Sequence, residues 1–254
     1  MASITKVQLG RLGLKGKVET LNFSSLPSLQ VLNLTYNKLH GGIPVTITAP
    51  PKLTILDLST NNLTGNIPSG LGNLTRLKTL CFYENQISGS IPPSFGKLLN
   101  LNWLDISLNF LVGSIPPLFR NLTKLNFLYL WRNNLIGSIP CPIGNLVNLK
   151  EFDISGNHIT GPTPHNIRNL TKLKAFYLYD NSINGSIPCE IGNLVNLRDL
   201  EISNNQITGP IPHSIGNLTK LEAFYLYDNS INGSIPCEIG NLVNLRDLEI
   251  STIK

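Results

Sequence analysis

The sequence predicts an α/β solenoid, a stack of short parallel strands lining one face, each returned to the next by a segment without regular helix. Three observations carry that expectation. Two apolar residues three apart recur every 24 residues, from Leu29/Leu32 to Leu245/Leu248, with no slip in the frame. The second of each pair opens a triplet in which two apolar residues bracket an outward position, as in Leu56-Asp57-Leu58. A glycine followed three residues later by proline recurs in the same frame, as at Gly65 and Pro68. A unit this short cannot bury its own apolar face, so neighbouring units must stack to make a core.

The full unit reads LxxLxLxxNxLxGxIPxxIGNL, and each part has a structural meaning. The apolar triplet is the period-two signature of a strand with one buried face. Stacked in parallel at ~4.8 Å, ten such strands span roughly 45 Å, and the crossovers between them are expected to be right-handed. Asparagine holds the ninth position at Asn37, Asn61, Asn85, Asn109, Asn133, Asn157, Asn181, Asn205 and Asn229. Its amide offers two donors and an acceptor, so a column of them can satisfy backbone groups where the chain leaves the sheet. The glycines from Gly41 to Gly233 permit positive φ or close backbone approach. The prolines from Pro44 to Pro236 bar regular helix, so short 3-10 or irregular turns are expected on the opposite side.

The whole chain, 1–254, reads as a single domain of about ten such turns. It is 41% hydrophobic and only 14% charged, so Asn, Ser and Thr must supply much of its solvation. The net charge of +5 does not point to nucleic acid, because basic positions such as Lys150, Lys174 and Arg198 alternate with acidic ones in the strands. No apolar run approaches the ~20 residues that span a bilayer, and the first residues lack the apolar core of a signal peptide. No membrane contact is expected of this segment.

Four cysteines occur, and all are expected to be free thiols. Cys141, Cys189 and Cys237 stand two turns apart, ~10 Å, beyond disulfide reach, and Cys81 is expected to face solvent. The seventeenth position alternates Cys141, His165, Cys189, His213 and Cys237. Thiol and imidazole are zinc ligands, yet a straight ladder cannot wrap four of them around one ion, so no metal is expected. No cofactor motif appears. Carboxylates recur on the strands, but on an open sheet among exposed polar groups nothing would desolvate one as a catalytic acid, and no enzyme is expected.

The third, fifth, seventh and eighth residues of each unit point away from the core. They include Trp103, Asp105 and Ser107; Phe127, Tyr129, Trp131 and Arg132; Glu151, Asp153 and Ser155; Tyr177, Tyr179 and Asp180; Asp199, Glu201 and Ser203; then Tyr225, Tyr227 and Asp228, followed by Asp247, Glu249 and Ser251. Aromatic rows thus alternate with acidic ones, a composition common on recognition surfaces. Tyrosine is also a good strand former, and the alternation can be inherited, since residues 169–203 and 217–251 differ only at Lys174 versus Glu222. A ligand-binding set of Trp103, Asp105, Phe127, Tyr129, Trp131, Arg132, Glu151, Asp153, Tyr177, Tyr179, Asp180, Asp199, Glu201, Tyr225 and Tyr227 is expected. N-x-S/T sequons stand at Asn22, Asn33, Asn62, Asn73, Asn121, Asn169, Asn184, Asn217 and Asn232. Together they are compatible with an exported glycoprotein, Asn33 being the one left out of the candidate glycosylation set.

With the LxGxIP half of its unit, the chain from Ile4 to Ile250 resembles the plant-specific class of leucine-rich repeat, and its alternating NLTKL and NLVNL units are similar to the ectodomains of plant leucine-rich repeat receptor-like kinases. The resemblance implies a right-handed horseshoe with a parallel sheet on its concave face, and recognition there of a peptide or protein ligand, a hormone or a co-receptor. It also implies a parent protein with this segment on the extracellular face of the plasma membrane. Family ectodomains carry cysteine-bearing caps that are not seen here, and the last unit stops short of its asparagine position at Ile253. A fragment, a designed chain or a truncated gene product is therefore expected, with uncapped ends open to self-association. The alternatives are a secreted interaction protein resembling polygalacturonase inhibitors and a repeat scaffold with no ligand.

Overall fold

The computed structural model describes residues 3–250, so the expectations at Ser251 and Ile253 lie outside the described residues. The apolar triplets form strands at Lys6–Gln8, Val31–Asn33, Ile55–Asp57, Thr79–Cys81, Trp103–Asp105, Phe127–Tyr129, Glu151–Asp153, Ala175–Tyr177, Asp199–Glu201, Ala223–Tyr225 and Asp247–Glu249. They pair in parallel, in chain order, as an 11-stranded sheet. Register is constant: Leu104, Leu128, Phe152, Phe176 and Leu200 are direct neighbours and buried, while the residues on either side of each face outward. The core is one apolar column set running the length of the stack, with Phe82, Phe95, Phe119, Phe152, Phe176 and Phe224 its largest fully buried side chains.

A second parallel sheet, of ten strands from Lys15–Lys17 to Ser230–Ile231, is built by the segments after the asparagines. The repeat pattern by itself predicts only the first sheet. The reason lies in the glycine: Leu63 is buried between exposed Asn62 and Thr64, but the alternation stops at Gly65 (φ 75°), so no period-two run is visible in the letters. Among the described residues every helix is a short 3-10 turn, such as Cys141–Asn145, begun by Pro140 in extended conformation (φ −66°). A side chain at Gly144 would meet the Asn166 carbonyl of the next turn at 2.3 Å, so adjacent 3-10 turns touch through backbone.

The asparagine column does what its chemistry suggests. In a typical turn the Asn133 amide donates to the carbonyls of Ile106 (3.1 Å) and Leu130 (3.1 Å), and its oxygen accepts from the Leu111 N–H (3.0 Å). These bonds hold the chain where it leaves the sheet. There the eighth residue of most turns adopts a left-handed conformation without being glycine, at φ 47–55° for Tyr36, Thr60, Glu84, Leu108, Arg132, Asp180, Asn204 and Asp228. Such a conformation persists only where its surroundings over-determine it. One repeat letter departs with consequence: Thr163 stands where eight other turns carry the isoleucine of the IP pair. It borders both an open groove of about 580 Å³ beside Cys141 and His165 and a small void against Phe176, Leu178 and Ile187.

Candidate functional site

The expected site residues fall on one face. Trp103, Asp105, Phe127, Tyr129, Trp131, Glu151, Asp153, Tyr177, Tyr179, Asp199, Glu201, Tyr225 and Tyr227 are half-buried along the concave sheet, and Arg132 and Asp180 are exposed at its margin. Strand register brings them together: Trp103, Phe127 and Glu151 share one row, and Asp105, Tyr129, Asp153, Tyr177, Glu201 and Tyr225 the next.

The aromatics form a joined cluster rather than separate anchors. The Trp103 ring lies 4.5 Å from Phe127 and 5.5 Å from Tyr129, centroid to centroid, and Phe127 stacks on Tyr129 at 6.3 Å. Arg132 lies 5.7 Å from the Trp131 ring and Lys150 6.0 Å from Phe127, both within cation–π range. Tyr83, absent from the sequence-derived set, meets Trp131 at 5.9 Å although two turns separate them. That contact bridges the intervening turn. Ser107, Ser155 and Ser203, expected to face away from the core into solvent, are instead buried. They are small residues in a column whose neighbours at Tyr83, Trp131, Tyr179 and Tyr227 are large, and over Ser107 the Tyr83 and Trp131 rings meet.

The carboxylates are also less solvated than an open sheet suggests. Burial pushes the Asp57 and Asp105 carboxyls above the usual range, and Asp153 up to about 6, in each case against the lowering effect of bonds from the serine two residues on. For Asp153 those are the Ser155 hydroxyl at 2.6 Å and its N–H at 2.9 Å. Burial likewise raises Asp199 and Glu201, and Tyr129, whose hydroxyl donates to Glu151, is raised by burial and by that bond. Cys81 corrects another expectation: it is buried, 8% exposed, and burial between Asp57 and Asp105 raises its thiol pKa. Cysteine is short, and the larger side chains beside it screen it from water.

From Val31 to Glu249 the third, fifth and seventh positions carry Asp57, Asp105, Glu151, Asp153, Asp199, Glu201, Asp247 and Glu249 and no lysine or arginine. A chain with net charge +5 thus presents an anionic concave strip. Basic residues flank it at the second position, where Arg198 pairs with Glu222. Elsewhere, His165 pairs with Glu190 at 3.0 Å and His213 with Glu238 at 2.8 Å. All four cysteines are free, and Cys141, Cys189 and Cys237 are exposed. Of the sequons, Asn22, Asn62, Asn73, Asn121, Asn169, Asn184, Asn217 and Asn232 are exposed and lie off the concave strands, whereas Asn33 is half-buried on one of them.

Leucine-rich repeat models match residues 3–63 and 147–207, and 76–98, 100–122, 124–146 and 220–242. The chain belongs to the leucine-rich repeat family. No curated protein matches its sequence. Among solved structures it is similar to the plant peptide hormone receptor RGFR1 in complex with RGF2, at 34% identity and TM-score 0.83, over 96% of this chain and 43% of that one. It is similar to the Arabidopsis receptor kinase HAESA in complex with the peptide hormone IDA and the co-receptor SERK1, at 31% identity and TM-score 0.80, over 100% of this chain and 47% of that one. The chain therefore spans less than half the length of these receptors. A plant ice-binding protein shares the fold as well, at 26% identity and TM-score 0.77, over 98% of this chain and 81% of that one. Fold alone does not assign function, which lies in the residues the concave face presents. Among the described residues no helix is long and apolar enough to cross a membrane.

Proposed function

We propose that this leucine-rich repeat segment is part of the ligand-recognition domain of a plant receptor-like kinase, exposed on the extracellular face of the plasma membrane, and that it binds a cationic, partly apolar peptide or protein loop on its concave face. One observation carries the reading: from Val31 to Glu249 the concave strip pairs a joined aromatic cluster with carboxylates and holds no lysine or arginine at the third, fifth and seventh positions. Desolvated charge pairs around aromatic anchors usually dominate the energy of such an interface. The exposed sequons all lie off the concave strands, so a glycan on any of them would leave that face uncovered; Asn33, half-buried on a strand, is the one sequon on it. The receptors to which the chain is similar were solved with peptide hormones, which supports the ligand class, and with a co-receptor, which supports a second protein contact.

The test is to replace Trp131 and Tyr179 with alanine, and separately Asp153 and Glu201 with lysine, and to measure binding of a lysine-rich peptide. Each pair is expected to weaken binding at least ~10-fold, as for central interface residues. Binding that survives both sets and is lost on changing exposed residues of the 3-10 turns would overturn the assignment.

A further inference from the structure

The concave face has a period, and that period selects a backbone conformation for what lies across it. In the fifth-position column carboxylates stand on every second strand, at Asp57, Asp105, Asp153, Glu201 and Glu249, with Cys81, Tyr129, Tyr177 and Tyr225 in direct register between them. Parallel strands ~4.8 Å apart set successive carboxylate rows ~9.6 Å apart. A chain crossing the strands must bring a cation to each row from the same side of its own backbone.

Regular conformations differ sharply in whether they can do so. In an extended strand, side chains on one face recur every two residues, ~6.6 Å, and residues three apart point to opposite faces. An α-helix repeats its face after seven residues, ~10.5 Å, and drifts ~1 Å further out of step at each row. A polyproline II helix has three residues per turn and rises ~9.3 Å, so every third side chain lies on one face, within ~0.3 Å of the row spacing.

One further feature fits the same occupant. Tyr129, Tyr177 and Tyr225 separate the acid rows, and polyproline II segments dock by laying prolines against aromatic side chains.

Resting on the concave-face reading above, we infer that the ligand is a basic polyproline II segment, with lysine or arginine at every third position and proline or small apolar residues between, whose cations sit on the Asp105, Asp153 and Glu201 rows. The probes are three fifteen-residue peptides titrated calorimetrically into the full chain: lysine at every third position with proline elsewhere, the same composition with its lysines contiguous, and the periodic lysines with glycine in place of proline. The periodic proline peptide is expected to bind at least ~10-fold more tightly than either control, because only it is both in step and preorganised. Replacing Asp153 with asparagine together with Glu201 with glutamine is expected to abolish that advantage. Equal affinity of any control, or no binding of the periodic peptide, overturns the inference. If the peptides bind equally and the double substitution weakens all of them, the periodicity fails while the concave reading stands; if it weakens none, both fail.

Discussion

Replacing Asn133 with alanine tests whether the asparagine column holds the solenoid together. Asn133 is 6% exposed, and its amide donates to the Ile106 and Leu130 carbonyls while its oxygen accepts from the Leu111 N–H. The loss is not the sum of these bonds. Ile106 O keeps a second donor from Asn109, and Leu130 O keeps one from Asn157, so both carbonyls remain partnered. The Leu111 N–H loses the side-chain acceptor at 3.0 Å and is buried. Orphaning one buried donor costs about 1–3 kcal/mol, and weakening two shared acceptors adds about 1, giving roughly 2–4 kcal/mol. Asn134 beside it is exposed, and its replacement by alanine is expected to cost under about 0.5 kcal/mol. Urea denaturation of both variants measures the difference, and amide exchange at Leu111 locates it. Similar losses for the two, or protection at Leu111 unchanged in Asn133→Ala, would refute the reasoning.

Other outcomes follow from the same structure. The folded pKa of Asp153, about 6, lies above its unfolded value, so its contribution to stability is full below pH ~4 and is lost as pH rises through 6; Asp153→Asn should recover about 2 kcal/mol of the fall seen in the parent between pH 4 and 7, and an identical pH profile for both would contradict this. Thr163→Ile restores the repeat residue beside the void against Phe176 and Leu178 and should stabilise by about 1 kcal/mol in the same assay; destabilisation would mean that the site cannot take the larger side chain. Under native conditions a thiol reagent should label Cys141, Cys189 and Cys237 quickly and Cys81 only on unfolding, and four equal rates would contradict the burial of Cys81.

The fold was legible because its signals are one-dimensional. A strand shows in the triplet Leu56-Asp57-Leu58 and a turn in Asn61, and the fixed frame then dictates which side chains share a column. What the letters concealed depends on how side chains meet across turns. Ser107 reads as an outward polar residue, but Tyr83 and Trp131 reach over it from either side, a contact between residues 48 apart that no local pattern reveals. Asp105, Asp153 and Cys81 are likewise desolvated on a face that the letters present as open. The second sheet escaped notice because glycine replaces an alternating side chain, and the left-handed eighth residue because Leu108 and Thr60 are not the types that usually adopt that conformation. Thr163 departs from the repeat, and only its packing against the void beside Phe176 and Leu178 gives that departure meaning.

Both tryptophans of the chain, Trp103 and Trp131, stand on the concave face, so intrinsic fluorescence is a direct reporter of its occupancy. Titrating the chain with the periodic lysine–proline peptide should shift tryptophan emission saturably, with the midpoint found by calorimetry, and Asp153→Lys with Glu201→Lys should abolish the shift. Calorimetric binding that leaves both tryptophans unperturbed would place the ligand elsewhere and contradict recognition by the concave face.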